Sequence, residues 1–478
     1  MEPAAQAPLI LWFRRDLRLG DNPMLAEAAA TGRPLLPVFI RDDVVARAPA
    51  APRWRWGLGV ARFREALEGA GSRLTLRSGP APEALAQLAH EAGAAGVWFA
   101  RLHDPEAAAR DRDVAERLAA EGVEARAFGG HLLFDPDAIR TKTGDHYKVF
   151  TPMWRALRAM EAPPPAPTPA ALAVPAAWPE SEALEDWRLG AAMNRGAEIV
   201  ARHVTVGEDA ARARLARFLD ERVGAYTAAR DRPAVEGGSS LSENLTYGEI
   251  GIRECWHAAL PHAEEGSEGA ETFLKELAWR EFAWQLVHHT PRIVSDHWRG
   301  EWGAFPWQGE GPDFAAWTRG RTGIPFVDAA MREMYVTGRM HNRGRMIAAS
   351  YLTKHLLTDW RLGSDWFANH LVDWDVANNA MGWQWIAGSG PDASPFFRVF
   401  NPDGQLAKFD PKGAYPARWI AEGQSDPTPE ALSYFEAIPR SWALSPSDPY
   451  PAPPRPLAEG RERALAAYRA RRGEPAEP

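Results

Sequence analysis

The run LILWF at residues 9–13 decides the fold of the first part of the chain. All five residues are apolar, so a strand built from them buries both faces, as is typical of parallel sheets covered by helices on each side. Further short runs rich in β-branched and aromatic residues follow at 35–40, 75–77, 97–100 and 123–128, separated by segments rich in Ala, Glu and Arg. This alternation predicts an N-terminal parallel α/β domain of Rossmann-like type over residues 1–135.

The alternation stops after residue 135. Seven prolines lie between residues 161 and 179, which excludes a continuous helix or a central strand there, so we place an interdomain linker at 136–205. From residue 206 the apolar spacing is helical, with breaks such as Gly237-Gly238 and the segment 388–391. The sequence therefore predicts a second, all-helical domain over 206–478, with a short last helix at 464–471.

The bulk composition excludes several classes of protein. With 45% hydrophobic and 25% charged residues, the chain of 478 residues is typical of a folded globular protein. We expect neither a signal peptide nor a membrane anchor, because no long apolar stretch occurs and no basic segment precedes the run at 9–13. The single cysteine, Cys255, can form neither an internal disulfide nor a thiolate metal site, which predicts a cytoplasmic protein.

Two local excesses stand out against a net charge of −8. The segment 317–345 holds six arginines and two acids, and either a solvated helical face or a phosphate-binding surface explains it. Those arginines are Arg319, Arg321, Arg332, Arg339, Arg343 and Arg345. Twelve of the 21 tryptophans fall between residues 256 and 385, more than ordinary core packing requires.

The helical segment 273–287 has two interpretations. Glu276, Trp279 and Arg280 fall close to one face, and Glu276 with Arg280 four residues later forms an ordinary surface ion pair worth about 0.3–0.5 kcal/mol. Alternatively, the tryptophan between the two charges packs against a planar ligand.

Motifs of metal and hydrolase chemistry are missing from the sequence. The stretch DWDVANN at 373–379 begins like a calcium loop but lacks the glycine and the glutamate that such a loop needs. No HExxH, phosphate-binding GxxxxGK[ST] or nucleophile-elbow GxSxG occurs in a supporting context. We therefore expect no metal, and chemistry that a bound cofactor carries.

An ordered set of motifs resembles the photolyase/cryptochrome family. The motifs are LWFRRDLR (11–18), YKVFTP (147–152), LAWREF (277–282), GIPFVDAAM (323–331), MHNRGRM (340–346), NAMGWQW (379–385) and FRVFNP (397–402). They span nearly the whole chain, and the sequence is most similar to bacterial class I-like cyclobutane pyrimidine dimer photolyases. The fold that this resemblance implies, an α/β antenna domain, a long linker and a helical FAD-binding domain, agrees with the organisation predicted above.

The resemblance implies a flavin site in the helical domain, with FAD reduced and anionic in the active state. Similarity places at the flavin Tyr226, Gly238, Ser239, Ser240, Leu241, Ser242, Arg280, Asp373, Asp375 and Asn379. Gly238 stands where the family usually has threonine, so we expect only a backbone contact with the phosphates there. Asn379 would face the flavin nitrogen that gains or loses a proton, where a neutral amide accepts a hydrogen bond without adding charge.

The same matching implies a pocket for damaged DNA, since a flipped-out pyrimidine dimer needs apolar walls and a polar partner. The lesion-pocket residues are Glu276, Trp279, Asn342, Met346 and Trp385, and the phosphate contacts are Arg230, Arg343 and Arg398. Asn342 stands where enzymes for six-four photoproducts have histidine, which favours cyclobutane dimers. Arg339 stands at an often aromatic position and predicts a more cationic pocket rim.

Three tryptophans, Trp383, Trp360 and Trp307, align with the chain through which the family's excited oxidised flavin is reduced. The alternative is that they are core aromatics. Together with Glu276 and Asn379 they form the predicted catalytic set.

The resemblance as a whole implies a monomeric enzyme that repairs cyclobutane pyrimidine dimers in DNA with light. A second chromophore, methenyltetrahydrofolate or a deazaflavin, is expected as an antenna. Two alternatives stay open, a cryptochrome-type blue-light sensor without repair activity and an enzyme for the six-four photoproduct. A DNA-binding module without catalysis would leave the flavin-site residues unexplained.

Overall fold

The computed structural model describes residues 6–392, 396 and 398–472. The first residue of the motif at 397–402 and the chain end beyond residue 472 lie outside this part. The strands of the first domain are β1 (Leu9–Trp12), β2 (Leu35–Arg41), β3 (Thr75–Ser78), β4 (Gly96–Ala100) and β5 (Glu124–Phe128). Each strand lies within one residue of its predicted bounds at either end.

The five strands form one parallel sheet in the order β3-β2-β1-β4-β5. Leu9 of β1 pairs with Leu35 on one side and with Gly96 on the other. Apolar side chains of β1 point alternately into two separate cores, one on each face of the sheet, and helices cover both. Those helices are α1 (Pro23–Ala30), α2 (Asp43–Ala46), α3 (Ala50–Gly69), α4 (Ala81–Ala92) and α5 (Pro105–Ala120). The predicted Rossmann-like α/β domain is confirmed.

The strand order reverses between β1 and β4, the place where such sheets usually bind ligands at the carboxyl ends of the strands. Arg14, two residues beyond β1, occupies this place. Its buried guanidinium donates to the carboxylate of Asp111 and to the carbonyl of Ala100. Burial lowers the pKa of Arg14, and the Asp111 carboxylate opposes that effect.

The predicted linker makes backbone hydrogen bonds with the first domain. Its helices are α6 (Phe150–Arg158) and α7 (Gly196–Val200). The proline-rich stretch between them bonds to the first domain through backbone groups, with Leu35 N donating to Ala173 O at 2.8 Å and Glu182 N donating to Leu76 O at 3.0 Å. Prolines suit such an extended surface segment, because most of its residues need no backbone N–H donor. The domain division at residues 135 and 205 stays a prediction.

In the described part of the chain after residue 205, the regular elements are helices, as predicted. Its helices are α8 (Glu208–Arg217), α9 (Tyr226–Ala229), α10 (Ser242–Tyr247), α11 (Ile252–Glu264), α12 (Glu268–His289), α13 (Pro312–Thr318), α14 (Pro325–Thr337), α15 (Asn342–Ser350), α16 (Trp360–His370), α17 (Val376–Ala387), α18 (Pro402–Phe409), α19 (Ala414–Trp419), α20 (Pro429–Ala437) and α21 (Leu457–Arg471). The last helix begins seven residues earlier than predicted. Within the described part of the chain, no helix is both long and apolar enough to cross a bilayer.

A buried ionic cluster joins α3 of the first domain to the helical domain. Arg55 donates to Glu243 at 2.7 Å and to both carboxylate oxygens of Glu249 at 2.7 and 2.9 Å, and all three side chains are fully buried. The two carboxylates outweigh the effect of burial and raise the pKa of Arg55. Removing one partner of such a cluster costs roughly 3–5 kcal/mol, because it leaves a buried charge uncompensated.

Candidate functional site

A cavity of roughly 1480 Å³ opens in the helical domain. It is lined by every predicted flavin, lesion and phosphate residue, although these come from positions as far apart as Tyr226 and Arg398. Of the predicted catalytic set, Trp360 and Trp307 lie outside the lining. The residues predicted to bind the flavin and those predicted to bind the damaged DNA therefore line the same cavity.

The cavity is cationic although the chain as a whole is acidic. Eleven arginines line it against seven Asp and Glu residues, whereas the chain carries a net charge of −8. A concave surface with an excess of one sign concentrates its field and attracts ligands of the opposite sign. The lining is therefore suited to phosphate-bearing ligands.

The loop 238–242 forms one edge of this cavity. Ser240 is held in the left-handed region with φ +56°, which turns the chain sharply before α10. Arg214 donates to the Ser240 carbonyl at 3.1 Å and also lines the cavity. A β-carbon added at Gly238 would meet only the Ser240 nitrogen, at 3.9 Å. The glycine at 238 thus leaves open space where the family's threonine side chain would lie.

Asp373 is the charged centre of the same region. Arg345 donates through Nη2 to both of its carboxylate oxygens, at 2.8 and 2.9 Å, and Ser242 Oγ donates to Oδ2 at 2.7 Å. The sequence placed Asp373 and Ser242 at the flavin but did not identify Arg345 as a site residue. Arg345 could have been identified from the MHNRGRM motif, since it lies three residues beyond Asn342.

Asp375 fixes the beginning of α17. Its Oδ1 accepts from the Asn378 backbone nitrogen at 2.9 Å, as an N-cap does, and its Oδ2 accepts from Trp284 Nε1 at 3.0 Å. Asn379, in the first turn of the same helix, also lines the cavity. Its Nδ2 donates to Ser364 Oγ at 2.9 Å and to the Ser364 carbonyl at 3.2 Å. This leaves Oδ1 of Asn379 as the acceptor for a ligand.

Buried polar groups of His131 and Glu281 hold the Arg280 guanidinium. It donates to the carbonyl of His131 at 3.0 Å and lies 3.3 Å from Glu281 Oε1. Burial raises the pKa of Glu281 to about 7, although Arg280 and two backbone N–H groups oppose that effect. Burial and the Arg280 charge lower the pKa of His131 well below its usual value, so its imidazole is neutral.

The predicted ion pair between Glu276 and Arg280 is wrong. Glu276 accepts a hydrogen bond from Arg230, whereas Arg280 turns into the protein toward His131 and Glu281. Both residues line the cavity, but each has a nearer partner of its own, Arg230 for Glu276 and the His131 carbonyl with Glu281 for Arg280. Glu276 and Arg230 therefore form one unit at the cavity wall.

The apolar lesion residues come from three helices. On α12, the Trp279 ring stacks on Phe150 with centroids 3.6 Å apart and planes 8° apart. Met346 on α15 and Trp385 on α17 line the same cavity, and both are half-buried. Trp279 is therefore not the freely exposed tryptophan that its segment indicated, because the linker helix α6 covers one face.

Asn342 is exposed and is the first residue of α15. The residue before it, His341, accepts a hydrogen bond from Arg343 N at 3.1 Å through Nδ1 and so caps this helix. Burial lowers the pKa of His341 to about 4, which keeps the cap neutral. His341 thus caps the helix, whereas Asn342 is exposed and lines the cavity.

The predicted phosphate contacts differ in their surroundings. Arg343 pairs with Asp231 at 2.6 Å and lies over the Phe409 ring, whereas Arg398 is exposed and lies over Trp385 with 5.9 Å between its guanidinium carbon and the ring centre. Arg230 is engaged with Glu276.

The interpretation of segment 317–345 as a solvated basic face is wrong. Five of its six arginines pair with carboxylates, and Arg319 lies over Trp442. Arg332 is fully buried against Glu422. Arg339 lines the cavity and donates to Glu243, a carboxylate that also pairs with Arg55 and Arg214, and the more cationic rim stays a prediction.

Of the three predicted electron-transfer tryptophans, one lines the cavity and two lie outside its lining. Trp383 lines it and packs on α16, where a β-carbon added at Gly363 would lie 2.2 Å from its ring. Trp360, at the start of α16, is buried. Trp307 lies beyond it, with His297 between the two rings.

The space and the donors of the cavity fit FAD. Typical small-molecule pockets measure roughly 300–1,000 Å³, so this one exceeds the need of a single compact ligand. Arg280 and the hydroxyls of the 238–242 loop supply donors for an anion, while Asn379 Oδ1 supplies an acceptor. A β-carbon added at Gly382 would meet no atom within 4 Å, which marks open space above α17.

Known proteins are similar to this chain in sequence and in fold. Residues 9–170 match the family model described as DNA photolyase, and residues 273–470 match the FAD binding domain of DNA photolyase. The chain is 42% identical over 469 residues to the deoxyribodipyrimidine photo-lyase of Agrobacterium fabrum, covering 97% of this chain and 98% of the relative.

Two solved structures extend the comparison. A bacterial class III photolyase from Agrobacterium tumefaciens matches with a TM-score of 0.91 and 41% identity, over 99% of this chain and 100% of that chain. A cryptochrome from Synechocystis sp. matches with a TM-score of 0.79 and 27% identity, over 98% and 99% of the two chains. Near-complete coverage by such relatives, together with both family models, means that the chain belongs to the photolyase/cryptochrome family.

Proposed function

We propose that this protein repairs cyclobutane pyrimidine dimers in DNA by light-driven electron transfer from bound, reduced FAD. The observation that carries the proposal is the single cationic cavity, in which the flavin residues and the lesion residues line one continuous space. Electron transfer to a lesion needs donor and acceptor in close contact, and a shared cavity meets this need. The relatives named deoxyribodipyrimidine photo-lyase support the same substrate.

When bound, reduced FAD supplies the electron that opens the dimer and takes it back afterwards. Asn379 presents Oδ1 as a neutral hydrogen-bond acceptor for the flavin ring, and Ser364 sets its orientation. Arg280 contributes a positive charge, which stabilises an anionic ligand. Arg345 holds the Asp373 carboxylate in place at the flavin. Ser242 and Gly238 contact the phosphates of the flavin.

Glu276 and Arg230 receive the polar edge of the lesion. The ion pair neutralises the carboxylate before DNA arrives, which lowers the cost of bringing an anionic strand close to it. Trp279 and Trp385 supply the apolar walls for the flipped-out dimer, with Met346 beside them. Asn342, at the exposed start of α15, hydrogen-bonds the bases, and the exposed Arg398 together with Arg343 contacts the flanking phosphates.

Trp383, Trp360 and Trp307 carry electrons from the protein surface to the flavin site when the cofactor is oxidised. An antenna chromophore, methenyltetrahydrofolate or a deazaflavin, would supply excitation energy when bound, and we propose that the protein acts as a monomer in the cytoplasm.

The test is illumination of the photoreduced protein with near-ultraviolet or blue light in the presence of an oligothymidine that carries cyclobutane dimers. Repair restores the ultraviolet absorbance of thymine, and a dark sample is the first control. Glu276→Ala should slow the recovery, whereas Glu236→Ala, which removes an exposed carboxylate at the cavity edge, should leave it unchanged. No recovery with reduced FAD bound would contradict the proposal; a parallel assay on a six-four substrate then separates that enzyme from a light sensor.

A further inference from the structure

His297 lies buried between two of the electron-transfer tryptophans. The Trp360 Nε1–H group donates to His297 Nδ1 at 3.2 Å, and their ring centres are 5.9 Å apart. On its other side the His297 ring lies parallel to Trp307, with planes 12° apart and centres 6.3 Å apart. His297 is only 1% exposed. Among the described residues it is the one whose ring contacts both Trp360 and Trp307.

The hydrogen bond fixes the protonation state of this histidine. An indole N–H can only donate, so Nδ1 of His297 carries a lone pair and the imidazole proton is on Nε2, where the Arg361 guanidinium, itself only a donor, lies close without a hydrogen bond. Burial, followed by the nearby charge of Arg361, lowers the pKa of His297. The resting imidazole is therefore neutral and presents a base directly to the indole proton of Trp360.

The charges around His297 act on an imidazolium in both directions. Arg361 lies 3.3 Å from Nε2, but it is itself paired with Asp359 at 3.1 Å and with Asp296 at 3.2 Å. Glu301 is a third acid whose charge acts on His297, and Arg292 donates to the His297 carbonyl rather than to the ring. These three acids only partly offset burial and the Arg361 charge, which oppose an imidazolium, so His297 holds a second proton only briefly before returning it.

We propose that His297 is the proton acceptor of Trp360 during electron relay to the flavin site. The inference rests on the proposed role of the three tryptophans. In the first step Trp360 gives one electron to oxidised Trp383, and its Nε1 proton moves to His297 Nδ1. The products are a neutral Trp360 radical and a His297 imidazolium.

The second step restores both residues. Trp307 gives one electron to the Trp360 radical, and the proton returns from His297 Nδ1 to Trp360 Nε1. The positive charge that remains on Trp307 is removed by an electron from an external thiol. Because loss of an electron makes an indole N–H far more acidic, transfer over a preformed hydrogen bond needs no rearrangement. The neutral radical also lacks the charge that would draw the electron back.

Transient absorption spectroscopy tests this step, since the cation and neutral radicals of tryptophan have different visible spectra. After a flash on the oxidised protein, the wild type should show early neutral radical, with a solvent deuterium isotope effect. In His297→Phe, which keeps an aromatic ring but removes the base, the cation should persist at least about tenfold longer. His370→Phe is the matched control, because His370 is another neutral histidine, half-buried, stacked on Trp366 and not on the relay.

A second variant and a dark measurement keep folding apart from mechanism. His297→Asn offers an acceptor oxygen but no base, so it should retain the Trp360 hydrogen bond and still prolong the cation. Nitrogen-15 NMR of labelled indoles in the unilluminated protein should show a downfield Trp360 Nε1–H that shifts upfield in His297→Phe. Equal cation lifetimes in wild type and both variants would overturn the inference. Absence of any tryptophan radical in the wild type would instead overturn the proposed relay itself.

Discussion

Ser364 holds the Asn379 amide by two contacts, through its hydroxyl at 2.9 Å and its carbonyl at 3.2 Å. The pair joins α16 to α17 directly beside the cavity. Only the hydroxyl contact depends on the side chain at position 364. The Asn379 amide, which lines the cavity, is therefore oriented by a residue that lies outside every motif of the sequence.

The first prediction concerns this pair. Ser364→Ala removes one hydrogen bond worth about 1 kcal/mol, so the Asn379 amide loses part of its fixed orientation. We expect FAD to bind normally but repair to slow several-fold. Asn379→Asp should act more strongly, because a carboxylate beside the reduced flavin lowers its reduction potential. Spectroelectrochemical titration of both variants checks this, and an unchanged potential in Asn379→Asp would contradict the placement of Asn379.

The second prediction concerns Gly238. The position has room for a side chain, so Gly238→Thr should be tolerated and should add one hydroxyl donor beside the flavin phosphates. We expect FAD to bind about fivefold more tightly, which corresponds to about 1 kcal/mol. Fluorescence titration of flavin-free protein measures the Kd. Gly238→Val has the same shape without the hydroxyl, and equal tightening in both variants would show that the hydroxyl is irrelevant.

The third prediction concerns Gly363. A methyl group there would lie 2.2 Å from the Trp383 ring, so Gly363→Ala must displace that ring. We expect a loss of about 1–3 kcal/mol in the free energy of unfolding and much slower photoreduction. Gly69→Ala is the control, since a methyl group at the end of α3 meets no atom within 4 Å. Photoreduction at the wild-type rate in Gly363→Ala would exclude Trp383 from the electron path.

The fourth prediction concerns the pH dependence of stability. Burial raises the pKa of Glu281 to about 7, above its value in the unfolded chain. The folded state then binds this proton more tightly, so the contribution of Glu281 to stability is complete below about pH 4.5 and is lost as the pH rises through about 7. The loss amounts to as much as about 3 kcal/mol.

Urea unfolding of wild type and Glu281→Gln at several pH values isolates this effect. Other groups titrate in both proteins, among them His131, so the difference between the two curves is the relevant quantity. We expect the variant to gain stability relative to wild type as the pH rises from 5 to 8. A difference that does not depend on pH would mean that Glu281 is ionised throughout this range.

The sequence by itself determined the fold of each part. The strand runs were found to within one residue, because a fully apolar run flanked by helical segments has few alternatives to a buried parallel strand. The same holds for the helical domain, whose apolar periodicity is a local property. Family motifs such as LAWREF and NAMGWQW also identified residues that all line one cavity.

Only the tertiary structure decided which charges meet. Glu276 and Arg280 are neighbours on α12, yet one pairs with Arg230 and the other turns toward His131. Arg345 and Arg339 find their carboxylates at Asp373 and Glu243, far away in the sequence. Ion pairs of this kind depend on packing between distant elements and on burial, which no local pattern records. The position of His297 between Trp360 and Trp307 has the same origin, because aromatic contacts across helices and loops are set by the complete core.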